Sequence, residues 1–582
     1  MRAIETELLN LKVGVFPHKK WSGKVLRLLH EFGYPAELIQ GNTQSYPFVI
    51  IPYAVIAKDR SVLNSRNIRY ASLLVACTED GENVPEFTDR VLPIVFGDMR
   101  CETGCCKVSK EENPLSHILP HRQLKTKTRR DHNLKIKFIE LRVYSDSKVI
   151  VSFENDQGDS FPLLACGTMV DKRKFAVVAT SDEIVNCHDS NWGLLLYLAA
   201  VEWCLSDLPF ARKWFWPNAT RMAIALSFDL EGFPKFRKNE YRIWPRYFDR
   251  LLLGWAIKRI LKFLDSKSVP STWFVPGSQA TRTPNLVRML LSNRLVELAG
   301  HGDVHYGIDK SAKRFDEDPL SIQKQRLGAM KKAIEKVAGE TIKGFRAPGL
   351  HADQNTLLSL QENDFTWDCT ASPETNYPAR WFFFPYNPIL NLESEKELDI
   401  IEIPVIGSWE RYCPVHNSMH SSREYLEELQ EDFNFMHSVG GLQTLLIHPL
   451  QIAIRPSRWK ALEYFVTESL KYNVCFLRCS EIARMWVLRR DMKLDAVYNY
   501  ETSTIRLYVE EAEPNLSILI HIPQGYRASD VLLEDTKSIS FEHWEDTNSI
   551  VFLTSVRGKA GYRIQLKNDY YNSADDEMSR KR

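Results

Sequence analysis

Two histidines stand four residues apart in HGDVH (301–305), directly after the apolar run 295–300. In a helical turn following a strand, side chains at i and i+4 share a face, so both imidazoles reach one metal ion. The segment SFDLEG (227–232) ends another apolar run and sets Asp229 and Glu231 two residues apart. Two imidazoles and one carboxylate suit zinc or another first-row divalent ion, and they leave positions open for water and substrate, as hydrolysis requires. With His301, His305 and Glu231 as ligands, Asp229 is left to act as the base that takes a proton from water. Such a base works ionised, and a neighbouring cation favours that form. Arg346 in FRAPG (345–349) is the candidate cation; the plain alternative is a surface arginine before a turn. His448 closes the run in LLIHP (445–449) and suits a general acid that protonates a leaving amine. Asp368, at the end of FTWD, is the candidate carboxylate that keeps His448 protonated, and it reads equally well as a turn residue.

These segments need a frame that brings distant residues together. Over 220–490, apolar runs alternate with segments of helical spacing. Strands are expected at 223–229, 271–276, 295–301, 343–348, 365–370, 399–405, 442–448 and 474–479. Helices are expected at 249–265, 284–293, 321–337, 353–363, 422–439 and 459–471. Seven or eight βα units of this kind predict a distorted barrel, whose strand C-termini converge on one mouth. Residues 1–210 also alternate, which predicts a flavodoxin-like α/β domain. Within it, 92–131 reads as a long charged loop carrying Cys101, Cys105 and Cys106, while 135–144 and 149–154 read as a strand pair. Residues 192–205 read as a buried helix. From 494 to 569, short alternating runs separated by turn residues predict a small β-sandwich, followed by a polar, disordered tail over 570–582. The whole is an α/β multidomain chain.

The order SFDLEG, HGDVH, FRAPG, FTWD, LLIHP resembles the polysaccharide deacetylases of the NodB-homology type, carbohydrate esterase family 4, over about 220–488. The resemblance implies a distorted (β/α)7 barrel, a divalent metal, most simply zinc with cobalt, nickel or manganese as alternatives, and hydrolysis of acetyl groups on sugars. It implies Asp229 as base, His301 and His305 as ligands, Arg346 beside the base, His448 as acid and Asp368 as its tuner. It also places Leu446 in a pocket for the acetyl methyl group, and EIPV (402–405) looks like the family. The commonest first motif has two adjacent Asp; here Leu230 stands at the second, and the Asp-x-Asp or Asp-x-Glu branch puts the ligand at Glu231. The N-terminal stretches YPFVIIPY and FPLLACGTMVDKRKFAVVATSDEIVN resemble class I glutamine-amidotransferase-like domains. Cys166 lacks the flanking glycines of a Gly-x-Cys-x-Gly elbow, so that domain is read as non-catalytic.

Aromatic residues near the expected mouth, Trp273 and Trp367 with Trp381 and Phe382–Phe384, offer ring faces on which a sugar could stack, or core packing. HNSMH (416–420) repeats the histidine spacing without a carboxylate and reads as a loop. The net charge of +1 argues against nucleic acid or an anionic membrane as a partner. No apolar run reaches the ~18 residues of a membrane helix, and the start carries no signal-peptide pattern. With odd, scattered cysteines, the expectation is a cytoplasmic enzyme acting on an acetylated amino-sugar glycan or its precursor, with an oligomer possible through the N-terminal domain. Two other classes stay open: a hydrolase of a cyclic amide or ureide, and a silent carbohydrate-binding scaffold.

Overall fold

The computed structural model describes residues 8–40, 46–64, 71–76, 87–88, 94–108, 134–143, 147–169, 172–179, 192–231, 246–305, 313–372, 383–389, 397–405, 407–408, 422–453 and 456–568. The chain divides into two units, one of Met1–Ala219 with Val487–Arg582 and one of Thr220–Trp486.

In the first unit, strands Val13–Val15, Ala36–Leu38, Phe48–Pro52, Ser72–Ala76 and Lys174–Val178 pair in parallel. Taken first to fifth along the chain, they lie side by side in the order 2-1-3-4-5. Phe48–Pro52 and Ser72–Ala76 are buried throughout, as parallel strands covered on both faces must be. Helix Trp192–Leu205 covers one side, and its Cys204 thiol donates to the Leu73 carbonyl at 3.3 Å. The sheet continues through antiparallel strands Ser160–Thr168, Ser147–Asn155 and Ile94–Val108.

Two expectations are corrected here. Cys101, Cys105 and Cys106 lie on the 15-residue strand Ile94–Val108, not in a loop. Leu134–Val143 and Ser147–Asn155 pair with that strand rather than with each other. At ~3.3 Å per residue, a strand of this length serves two partners in succession.

Strands of the C-terminal region form two antiparallel sheets, and each takes a strand from earlier in the chain. Leu8–Asn10 edges the sheet of Lys493–Asn499, Thr504–Ala512, Gly558–Asn568, Tyr526–Leu533 and Lys537–Ser538. Phe210–Lys213 edges that of Ser517–His521, Ser549–Leu553 and Phe541–Trp544. The sheets face each other where Phe552 of one meets Tyr562 of the other, ring centroids 5.1 Å apart. The tail over 570–582 lies outside the described residues.

The second unit is built on one parallel sheet. Its strands are β1 (Met222–Asp229), β2 (Ser271–Val275), β3 (Val296–Gly300), β4 (Gly344–Phe345), β5 (Trp367–Asp368), β6 (Ile401–Glu402), β7 (Gly407–Ser408), β8 (Leu442–Ile447) and β9 (Val474–Phe476). The order is β6-β5-β4-β3-β2-β1-β8-β7, with β9 also on β1. Seven strand spacings would separate the ends of a flat sheet by ~34 Å. Yet the end strands β6 and β7 are consecutive in the chain, and the short link between them reaches at most ~18 Å. The sheet therefore curls. Among the described residues no pairing joins β6 to β7, so the expected barrel is a curled open sheet. The two-residue lengths of β4 to β7 explain this, since each offers few ladder bonds. Helices fill the crossovers with ordinary signals. Leu320–Ala338 ends on Gly339 at φ 74°, and Gln354–Glu362 is capped by Asp353, which accepts from the Thr356 N–H at 2.9 Å.

Candidate active site

One row of backbone bonds runs across the strand ends. Leu230 N–H donates to the Phe274 carbonyl (2.8 Å), His301 to Val275 (3.0 Å), Arg346 to Gly300 (2.9 Å), Cys369 to Phe345 (2.9 Å) and Ile403 to Asp368 (2.8 Å). Every strand in the row is parallel, so these residues share the C-terminal edge of the sheet. His448 follows β8, whose Ile447 is level with Phe228, and so it stands beside Asp229. That edge is where parallel α/β sheets carry their sites.

After β1 the chain turns tightly, with Glu231 N–H on the Asp229 carbonyl at 2.8 Å. The turn sends both carboxylates to one mouth. Leu230, between them, is fully buried, which explains why the ligand position falls at Glu231. Glu231 Oε1 lies 3.0 Å from His301 Nε2 and 2.6 Å from His305 Nε2, and its Oε2 lies 3.5 Å from His448 Nε2. Burial alone would raise the Glu231 pKa; hydrogen bonds from His301 and His305 overcome this and hold it well below the usual carboxylate range.

The histidines do not meet through a helical turn, as their spacing suggested. The chain over 301–305 is a bend, with Gly302 in the left-handed region at φ 70°. A Cβ there would also sit 2.7 Å from the Pro348 ring, so only glycine fits. The bend is pinned from below: Gly277 and Ser278 donate N–H to the carbonyls of Gly302 (2.9 Å) and Asp303 (2.8 Å). Arg326 Nε holds the Asp303 carboxylate at 2.9 Å. His301 Nδ1 donates to the Arg346 carbonyl at 2.9 Å. A carbonyl can only accept, so Nδ1 keeps a proton, and Nε2 is the ring atom left to bind a metal ion once it gives up its own proton to Glu231's side of the site.

Arg346 is fully buried, and every arm is used. Nη1 donates to Asp229 Oδ1 (2.7 Å), Nε to the Cys369 carbonyl (2.9 Å), and Nη2 to Ser227 Oγ (2.7 Å) and Cys369 Sγ (3.0 Å). Its guanidinium lies 3.9 Å over the Phe274 ring. Burial works against its charge, but Cys369 and Asp229 outweigh burial and raise its pKa. The second Asp229 oxygen is 3.7 Å from His301 Nε2.

Asp368 Oδ1 accepts from Thr370 Oγ1 at 2.7 Å, and the residue stands level with Glu402 of β6. Glu231 also stands against His448. Trp273 is fully buried and stacks on Phe228 at 4.5 Å, with its indole N–H on Ser271 Oγ. Trp367 is also buried, edge-on to Phe274 at 5.9 Å. Neither offers a ring face to a sugar, and both are corrected to core. Phe383 and Phe384 pack against Phe435 and Trp486, while Trp381, Phe382 and HNSMH lie outside the described residues. Leu446 is buried two residues before His448 on the same strand face, level with Ser227.

Four participants escaped the sequence reading. Ser227 had a signal, since it precedes Asp229 by two on one strand and shares its face. Glu402 had one too, as a lone acid in an apolar strand run. Cys369 and Thr370 had none, because a loop residue's partners follow only from the register of its neighbours.

The donor atoms of Glu231, His301 and His305 lie within 4.8 Å of one another, as do those of Asp229, Glu231 and His448. Two imidazole nitrogens and a carboxylate, one imidazole with its tautomer already set, fit a zinc-like divalent ion.

Residues 248–367 match the family model described as polysaccharide deacetylase. That match lies within the second unit. The chain is similar to a peptidoglycan deacetylase-like protein, FGM2, of Gibberella zeae, at 24% identity over 212 residues. That match covers 32% of this chain and 59% of the relative's length. Among solved structures it is similar to Agd3, described as a novel carbohydrate deacetylase, at TM-score 0.47 and 10% identity, over 96% of this chain and 99% of that one. It is also similar to the Puue allantoinase structure, at TM-score 0.38 and 19% identity, over 47% and 92% of the two chains. Among the described residues no helix is long and apolar enough to cross a membrane.

Proposed function

We propose that this chain is a metal-dependent hydrolase that removes acetyl groups from N-acetylated sugars of a glycan or glycan precursor. The observation that carries the reading is the two-part mouth: Glu231, His301 and His305 converge as ligands, and Asp229 beside them is gripped by Arg346. When bound, a divalent ion supplies polarisation of the acetyl carbonyl and a lowered pKa of water, from ~16 towards ~7 in zinc sites. Asp229 Oδ2, the oxygen not taken by Arg346, accepts the proton of the attacking water. Arg346 keeps Asp229 ionised and fixes its orientation. His448 gives its proton to the departing amine nitrogen, and Glu231 beside it favours the protonated imidazole. Leu446 supplies apolar surface for the acetyl methyl group.

A second reading, hydrolysis of a cyclic amide or ureide, has one observation in its favour: Trp273 and Trp367 are buried and provide no sugar platform. Acetate release from N-acetylglucosamine oligomers, abolished by chelation and restored by zinc, supports the first reading. Ring opening of a cyclic amide without acetate release supports the second, and neither activity in zinc-loaded protein supports a silent scaffold. For the first unit we propose a flavodoxin-like domain without catalysis, supported by its 2-1-3-4-5 parallel order. It would serve contact or pairing in a cytoplasmic enzyme.

A further inference from the structure

Asp368 and Glu402 are level on neighbouring parallel strands, and both are fully buried. Glu402 Oε1 accepts the backbone N–H groups of Thr370 (3.0 Å) and Ala371 (2.8 Å). Its Oε2 is buried with no hydrogen-bond donor against it among the described residues. Two adjacent carboxylates in a dry interior cannot both stay ionised. Arg346, buried after β4, is committed to Asp229, Ser227 and Cys369.

We propose that Asp368 and Glu402 share one proton, carried on Glu402 Oε2, and that this pair is a positioning element for Arg346. Burial first, and then the Asp368 charge, push the Glu402 pKa well above the usual carboxylate range, with Cys369 adding to the effect. The path from the pair to the site is short. Glu402 Oε1 clamps residues 370–371, and Asp368 Oδ1 takes the Thr370 hydroxyl. Thr370 Oγ1 in turn accepts the Ala347 N–H at 2.9 Å, and the Cys369 carbonyl accepts Arg346 Nε at 2.9 Å. The pair thus ties the loop after β5 to the loop after β4, which carries the arginine that holds Asp229. Calling Asp229 the base rests on the proposed function; the shared proton does not.

The neutral state makes a specific demand. Glutamine reproduces a protonated glutamate: its carbonyl accepts from Thr370 and Ala371, and its amide N–H donates to Asp368. Alanine reproduces neither contact. The test uses the full zinc-loaded chain as wild type, Glu402→Gln and Glu402→Ala. Infrared difference spectra at neutral pH read the protonated carboxyl, calorimetric titration reads zinc affinity, and acetate release from N-acetylglucosamine oligomers gives kcat and KM. The expected results are a protonated-carboxyl band in wild type that Glu402→Gln removes, and zinc affinity unchanged in Glu402→Gln. Its kcat is expected to stay within ~3-fold of wild type, against a loss of ~10-fold or more in Glu402→Ala with KM little changed. Absence of the band in wild type, or a loss in Glu402→Gln as large as in Glu402→Ala, overturns the proposal. If Glu402→Ala does not fold, the band and the Glu402→Gln result still decide. A wild type that releases no acetate but shows the band overturns the functional reading and leaves the shared proton standing.

Discussion

Arg346 Nη1 donates to Asp229 Oδ1 at 2.7 Å, and both side chains are buried. The two residues are 117 positions apart and meet because β1 and β4 end in the same row of a parallel sheet. A buried pair of this kind gives modest net stability, but breaking it is costly, because the survivor is left charged and dry. Its value here is orientation: one Asp229 oxygen is fixed, and the other is free to take a proton.

Arg346→Lys should therefore behave as a severe change. Lysine cannot reach Asp229, Ser227 and the Cys369 carbonyl from one planar group. We expect a loss of ~100-fold or more in kcat/KM, with stability lowered by ~3 kcal/mol through the unpaired Asp229. Steady-state acetate release and denaturant melts check this together, and a Lys variant of near wild-type activity would remove Arg346 from the account.

Trp273→Phe tests the assignment of this residue to the core. The smaller ring leaves a gap beside Phe228, and we expect a cost of ~1–3 kcal/mol with KM for the sugar unchanged. A rise in KM at unchanged melting temperature would restore Trp273 to a substrate surface.

Gly344→Ala should fail more completely. A Cβ at this position would lie 1.8 Å from the buried Trp367 ring, in the strand just before Arg346. Moving that indole disturbs the floor under the site. We expect poor soluble yield or a melting temperature lower by several degrees, and the double variant Gly344→Ala/Trp367→Leu should recover part of the loss. No recovery would mean that the clash is not the cause.

Lys213 gives the first unit a pH signature. Burial first, then Arg489, push its pKa down to about 7, although its ammonium also reaches the carbonyls of Arg490 and Met492. Unfolded, it keeps its proton up to the ordinary value of 10.5. Between these values the unfolded chain binds more protons, so this residue's contribution to stability rises with pH across the window and is constant below it. Lys213→Met should flatten the rise in melting temperature between pH 7 and 9 relative to wild type. Equal slopes would contradict the assignment.

SFDLEG, HGDVH and LLIHP were legible because each follows or closes an apolar run, and a run buried on both faces is the plainest strand signal there is. Met222–Asp229 is buried from end to end and was found almost to the residue. Two-residue strands such as Ile401–Glu402 were placed but overextended, since the apolar pattern runs on where the ladder stops. The long strand through Cys101 was missed because its charges and glycines break the alternation. The Asp229–Arg346 pair was anticipated, whereas the Asp368–Glu402 neighbourhood was beyond reach, because it depends on register. Asp368 meets Glu402 only because β5 and β6 pair level. The expected barrel already implied a curled sheet; that no described pairing closes it between β6 and β7 was hidden, as this follows from the ladders of two-residue strands.

Asp229 and Glu231, two residues apart, divide the work of base and ligand, and their zinc affinities as Asp229→Asn and Glu231→Gln, measured side by side by calorimetric titration, test this most directly. Asp229→Asn should bind zinc within ~10-fold of wild type while losing acetate release, and Glu231→Gln should lose zinc by ~100-fold or more. An Asp229→Asn variant that loses zinc as fully as Glu231→Gln would contradict the account and make Asp229 a ligand.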